Sequence, residues 1–339
     1  IALAIIALNH VGGMDTLLQK LSSLLRTDII HENTLKFIPP IPDNSIGSLS
    51  FWESPFSKFL IFITVMWWSH HGTDGGGYII QRMSSAKNEK HALLATLWFN
   101  LAHYAVRVWP WIIVGVVSIV MFPVIPDSYS ELGTKAGYPL VMNMLLGPGM
   151  KGILIVSFLA AFMSTIDTHL NWGASYIIND IYKRFFKPNE SERHYVIVSK
   201  IITVVLMILA AFTALKMQSI SKAWAFIFSM GAGIGLVLIL RWFWWRINAW
   251  SEITALSTSI VITILLETLA WWQVSAKEGV YSLFGTEPVL FGIQIQVHHK
   301  LIIIVPIAIV SWLIATFITK PEPTEHLRKF YEKVQPGGW

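Results

Sequence analysis

Cysteine is absent from all 339 residues. Disulfides, thiolate nucleophiles and cysteine-held metals are therefore excluded. Charge is scarce as well: Lys, Arg, Asp and Glu make up 13% of the chain. A soluble chain of this length needs more charge to cover its surface, which excludes an ordinary water-soluble fold. The two-residue alternation of membrane-barrel strands is lacking. So are low-complexity tracts, short-period repeats and any soluble domain. The net charge of +5 is spread over connections and a C-terminal tail, which points to membrane orientation and away from nucleic acid.

What is present is apolar: 54% of residues are hydrophobic and 16 are Trp. The apolar residues fall in runs of about 20, the length a bilayer's hydrocarbon layer requires. The expected fold class is an all-α polytopic membrane protein. A helix remnant at 1–8 precedes a polar stretch, 10–50, that includes the amphipathic "GGMDTLLQKLSSLL". Seven spans follow, at about 52–83, 89–122, 152–182, 194–215, 221–246, 250–272 and 300–318, and then a polar tail. Asn88 is the expected N-cap of the second, and Pro110 lies inside it. The chain opens on "IALAIIALNHVGG", without Met or a charged n-region, so N-terminal helices of the same protein are expected to precede it. Connections near 82–91, 182–194 and 241–250, with the tail, carry 13 Lys and Arg against 10 on the opposite side. That bias puts the tail in the cytoplasm.

One span is interrupted. "MWWSHHGTDGGGYIIQR" sets His70, His71, Asp74 and four glycines inside an apolar segment. Each glycine costs about 1 kcal/mol of helix propensity, and unpaired amides in lipid cost several kcal/mol apiece. Such a break suits a polar cavity or bound solute, as discontinuous helices provide in secondary transporters. A flexible joint packed on a neighbouring helix is the competing reading. Candidate solute-cavity or gate residues here are Ser69, His70, His71, Gly72, Asp74 and Gly75.

In "LAAFMSTIDTHLNWGAS", Ala161, Ser164, Thr165 and Thr168 share one helix face. Hydroxyls at i+3 and i+4 lie beside the carbonyl of residue i. Three neutral oxygens suit a monovalent hard cation, with further ligands needed from another helix. Ser and Thr equally line ordinary helix contacts in membranes. In "FNLAHYAVRVWPW", Asn100, His103 and Arg107 form a polar stripe at i, i+3 and i+7. A mid-span Arg needs a partner, for which Asp74 and Asp167 are candidates; the stripe reads as a fixed ion pair, a carboxylate clamp or a gate. Gly231 and Gly235 read as close helix packing, Glu267 as outer-surface or paired, and His298 and His299 as solvated loop residues. His70, His71, Asp74, His103 and His169 have metal-ligand chemistry but lie on three elements without a tight spacing.

The stretches "GGGYIIQRMSSAKNEKHALLATL", "LIVSFLAAFMSTIDTHLNWGASYIINDIYKRF" and "LRKFYEKVQPGGW" resemble the sodium:solute symporter family, and "LRWFWWRINAWSEI" is similar to a bacterial sub-branch. The resemblance runs over about 52–339. It implies a LeuT-type inverted-repeat helical bundle, with 1–51 as the end of a first-repeat helix plus outer loop. Residues 52–246 would then be the second five-helix repeat, and 247–339 peripheral transmembrane helices and a cytoplasmic tail. It implies sodium as the bound ion, held by the Ala161 carbonyl and the Ser164 and Thr165 hydroxyls, with the remaining ligands on a first-repeat helix outside this sequence. The break would form one wall of the solute cavity. His70, His71 and Arg107 depart from the family pattern, and a cationic Arg107 favours an anionic solute such as a carboxylate.

The expected function is sodium-coupled symport of a small organic solute by alternating access. The protein would be multi-pass in the plasma (inner) membrane, partnered by lipid and solute, with sodium the sole metal and no enzyme chemistry. The alternatives are a transporter-like sensor or assembly subunit, and an intramembrane metalloprotein.

Overall fold

The computed structural model describes residues 1–26, 36–43, 46–217, 219–276 and 286–336. The end of the tail motif, 337–339, and parts of the polar stretch before residue 50 lie outside them. The described residues are almost wholly helical, with one short antiparallel ladder pairing Val289–Leu290 with Ile293–Gln294. Five helical segments are long and apolar enough to cross a bilayer: Glu89–Met121, Pro148–Phe186, Glu192–Lys216, Ala249–Ser275 and Val297–Ile318. This is a multi-pass all-α membrane protein. The other two expected spans, at 52–83 and 221–246, are both interrupted.

The chain divides into two compact units, residues 1–35 with 87–213, and residues 36–86 with 214–339. In the first unit, Ala2–Val11 buries Leu3, Ala4, Ala7 and Val11 against Val114, Val117 and Val141. Gly12 ends that helix in the left-handed region at φ 98°, where glycine carries no Cβ penalty. The chain then enters the amphipathic helix Gly13–Arg26, whose Leu17 and Leu21 are buried. Asn88 caps Glu89–Asn100 by accepting from the His91 N–H at 3.0 Å, as its position before the apolar run predicts. A π-helical turn, Leu101–Val106, follows, and Pro110 starts a fresh α-segment, Trp109–Met121. The π turn and the proline divide what the sequence reads as one helix. Pro148–Tyr176 and Glu192–Lys216 turn apolar side chains outward, with none of either's apolar window buried. Lipid tolerates such faces; water does not.

In the second unit, Val297–Ile318 packs along Ala249–Ser275. Ser251, Ala255, Ser259, Thr263 and Ala270 form a small-residue face on one helix, and Leu301, Ile304, Ala308 and Trp312 are buried on the other. In a membrane, where lipid is as apolar as leucine, small residues let backbones approach and dispersion does the work. The Ser251 and Thr316 hydroxyls join the helices at 2.7 Å. Lys300 donates to Glu267 at 2.8 Å, with their side chains only 7% and 12% exposed, so Glu267 is paired.

Two expectations need correction here. The 221–246 segment is helical at Ile220–Met230 and Gly235–Leu240 with a turn between, because Gly231, Gly233 and Gly235 weaken the helix and meet other elements closely. His298 and His299 are not solvated loop residues. They are buried in the first turn of Val297–Ile318, and both rings bond the Trp52 carbonyl oxygen at 2.9 Å. The tail, read only as polar, forms an exposed helix, Thr324–Val334, with i,i+4 pairs Glu325–Lys329 and Arg328–Glu332.

Candidate functional site

The break lies at His70–Gly75, in the second unit. Helix runs from Pro55 to Ser69, loosened by a π turn at Phe62–Met66. His70 turns to an extended conformation (φ −88°, ψ 165°), and helix resumes at Gly76–Ser84. Gly75 and Gly76 hold φ of 94° and 62°, a region that L side chains avoid. The sequence therefore breaks where its glycines and its short-range hydrogen-bonding residues coincide.

Those residues satisfy the freed backbone. The Thr73 hydroxyl lies 2.9 Å from the Trp68 carbonyl and 2.6 Å from the His70 carbonyl. The Gly72 N–H donates to His70 Nδ1 at 2.9 Å, and the Gly76 N–H to Asp74 Oδ1 at 3.1 Å. Asp74 thus satisfies the first N–H of the resumed helix, which offsets part of the amide cost that makes such breaks rare in lipid. Its other oxygen accepts from Arg241 at 2.9 Å. Ser69 Oγ is buried without a hydrogen-bond partner.

The second interruption packs on the first. A Cβ on Gly231 would lie 2.5 Å from His71 Nδ1, and one on Gly235 would collide with the Trp68 carbonyl oxygen. The close packing expected of these two glycines is present, and the tight fit is made where the two interrupted helices break off and resume.

The candidate ion residues belong to the first unit. Ala161, Ser164 and Thr165 sit on Pro148–Tyr176, a helix with no break, and all three are exposed. Thr165 Oγ1 donates to the Ala161 carbonyl at 2.9 Å, and Thr168 Oγ1 to the Ser164 carbonyl at 2.8 Å. Of the one carbonyl and two hydroxyls expected to converge, the Thr165 hydroxyl and the Ala161 carbonyl are in contact. Their neutral oxygens suit a monovalent hard cation better than a divalent one.

Of the stripe in the same unit, the structure joins two members: Arg107 Nη2 lies 3.0 Å from His103 Nε2. Asn100 instead donates to the Thr96 carbonyl at 2.9 Å. The π turn explains the separation, because its i→i+5 bonds carry Arg107 out of the i, i+3, i+7 register of a regular helix. The two expected acids have other partners: Asp74 bonds Arg241, and Asp167 accepts from Asn171 at 3.0 Å. Arg107 also lines a cavity of about 350 Å³ with Trp111, Tyr138 and Phe158. Among the described residues, no three His, Asp or Glu side chains gather as a metal site. Arg241 was missed by sequence reasoning. Its place just after the apolar run "GLVLIL" marks it only as a helix end.

The sequence profile of the "Sodium:solute symporter family" matches residues 1–261. The chain is 25% identical to the osmoregulated proline transporter OpuE of Bacillus subtilis over 184 residues, 51% of this chain and 36% of that protein. It is 30% identical to the B. subtilis high-affinity proline transporter PutP over 146 residues, 42% of this chain and 29% of the relative. It is 25% identical to the sodium/glucose cotransporter 4 of Danio rerio over 271 residues, 74% of this chain and 40% of that protein. The chain thus spans well under half the length of these curated relatives.

Proposed function

Because the chain belongs to the sodium:solute symporter family, we propose that it is part of a sodium-coupled symporter that moves a small organic solute by alternating access. The relatives are named as transporters of proline or glucose, which supports a transporter over an enzyme and a small polar solute as cargo.

In this reading the Ala161 carbonyl and the Ser164 and Thr165 hydroxyls give sodium three of its oxygens, and the break at His70–Gly75 forms part of the solute cavity. Residues 52–246 act as the second five-helix repeat of a LeuT-type bundle, 1–51 as the end of the first with its outer loop, and 247–339 as peripheral helices. The tail faces the cytoplasm of a plasma-membrane protein. Asn100, His103 and Arg107 bear on the solute or its gate, and a cationic Arg107 favours a carboxylate.

The observation that carries the reading is the 2.9 Å contact between Thr165 Oγ1 and the Ala161 carbonyl, on an uninterrupted and exposed helix. That hydroxyl spends its proton on the carbonyl and keeps its lone pairs for a cation. Sodium binding then favours one orientation of the cavity by its differential affinity for the two. The test is uptake of labelled proline and glucose by the full-length protein in liposomes, with and without a sodium gradient. Ser164→Ala with Thr165→Ala is expected to abolish sodium-dependent uptake while the protein still folds. Unchanged sodium dependence in the double variant refutes the site.

A further inference from the structure

The charge network behind the break has no role in the reading above. Arg241 Nη2 donates to Asp74 Oδ2 at 2.9 Å, and Arg241 Nη1 donates to Glu252 Oε1 at 3.1 Å. All three side chains are at most about a third exposed, at 35%, 17% and 34% for Arg241, Asp74 and Glu252. One guanidinium therefore bridges two carboxylates that are 178 positions apart in the chain, one in the break and one in the first turn of Ala249–Ser275.

The stretch 235–241 touches both lips of the break. At its start, Gly235 lies against the Trp68 carbonyl and Ser69, the last residues before the break, with no room for a side chain. At its end, Arg241 holds Asp74, which itself accepts from the first N–H of the helix that resumes at Gly76. Between them runs the helix Gly235–Leu240. Six helical steps put the two backbone positions about 9 Å apart, and the Arg241 side chain reaches from the second to Asp74. The two lips of the break are thus tied to one short helix as well as to the glycine-rich loop.

We infer that Arg241 is a positioning residue that holds the break at its working width, and that Glu252 makes this hold releasable. The reasoning is electrostatic. A guanidinium left alone in a partly buried site is costly. With Glu252 still paired, Arg241 can let Asp74 go without being stranded, so the break can open at moderate cost. Removing the Glu252 charge leaves Asp74 as the remaining anion of the network and tightens the hold. The inference rests on the reading of the break as a solute wall, but its test needs neither sodium nor solute.

These 339 residues hold no cysteine, so with any cysteine elsewhere in the full-length protein replaced by serine an introduced thiol is a direct probe. Ser69 is buried, 1% exposed, and its hydroxyl has no partner, so Ser69→Cys in that background puts a single thiol at the lip of the break at small structural cost. The rate of methanethiosulfonate labelling of the full-length protein in detergent then reports how often the break opens. In that background Arg241→Gln is expected to speed labelling about tenfold, and Arg241→Lys to stay within about threefold of the parent. Glu252→Gln is expected to slow it about threefold. The opposite signs separate positioning from mere structural support, because loosened packing speeds labelling in every variant. Unchanged labelling in Arg241→Gln overturns the inference, as does Glu252→Gln that labels at the parent rate or faster. Should Arg241→Gln fail to fold on size exclusion, the Glu252→Gln rate decides alone. Failure of the uptake test with these labelling rates as expected would sink the symport reading and leave the clamp standing.

Discussion

Residues 68–76 and residues 161–169 carry a similar chemical inventory, hydroxyls and one aspartate in each, with two histidines in the first and one in the second. They use it in opposite ways. In the first stretch Thr73, His70 and Asp74 turn their polar atoms onto the local backbone, and the helix is gone. In the second, Thr165, Thr168 and His169 each bond the carbonyl four residues back, and the helix is intact. Side-chain bonds to i−4 add to the helical ladder without replacing it. Thr73, His70 and one oxygen of Asp74 thus hold displaced backbone in the break, whereas the side chains on the continuous helix back-bond a ladder that is already complete. Substitutions in the first region should cost stability, and substitutions in the second, on the proposed reading, should cost binding.

The largest stability effect is expected at the extreme of inward commitment, the Lys300–Glu267 pair. Lys300→Ala strands a buried carboxylate and should cost about 3–5 kcal/mol. The double variant Lys300→Met with Glu267→Leu should recover most of that loss, since an apolar pair of similar volume often replaces a buried ion pair at little cost. Denaturation midpoints of single and double variants, measured in one detergent, check this. A double variant as unstable as the single would mean the pair is wanted for more than neutralising buried charge.

Thr73→Ala comes next. It takes the hydroxyl from the Trp68 carbonyl, while His70's carbonyl keeps the Thr73 N–H at 3.2 Å. One carbonyl left unsatisfied should cost about 1–3 kcal/mol. The sodium dependence of uptake should be nearly unchanged. A large shift in sodium affinity with no loss of stability would reverse the division of labour argued here.

How much of this was legible in the sequence follows from distance along the chain. The break was legible because glycines, His70 and Asp74 act on neighbours within a few residues, and the Asn88 cap was legible for the same reason. The pairing of the Thr165 hydroxyl with the Ala161 carbonyl was a matter of helical spacing alone. Arg241 was opaque because its partner Asp74 lies 167 positions away. The burial of His298 and His299 was opaque because the group they bond, the Trp52 carbonyl, belongs to another element. The interruption at 231–234 was masked by its apolar flanks, though three glycines were in plain view; what explains them is the approach of His71 to Gly231, of Ser259, Ala255 and Ala308 to Gly233, and of Trp68 to Gly235.

The smallest stability effect belongs to Thr165→Ala, and it is the sharpest test of the comparison. The hydroxyl is exposed and its one bond returns to a carbonyl that already sits in a helical ladder. Losing it should change stability by less than about 0.5 kcal/mol, as for surface substitutions away from special features. Alanine also has the highest helix propensity, which offsets part of even that loss. Sodium, on the proposed reading, loses one of its ligands, and the concentration needed for half-maximal uptake should rise about tenfold, the equivalent of about 1.4 kcal/mol. Thr168→Ala, one turn further along the same face, removes a bond of the same kind and length, to the Ser164 carbonyl. It should leave both stability and sodium dependence close to the parent's. Equal effects at Thr165 and Thr168 would show that the face matters only as a polar stripe, with no cation held at its upper end.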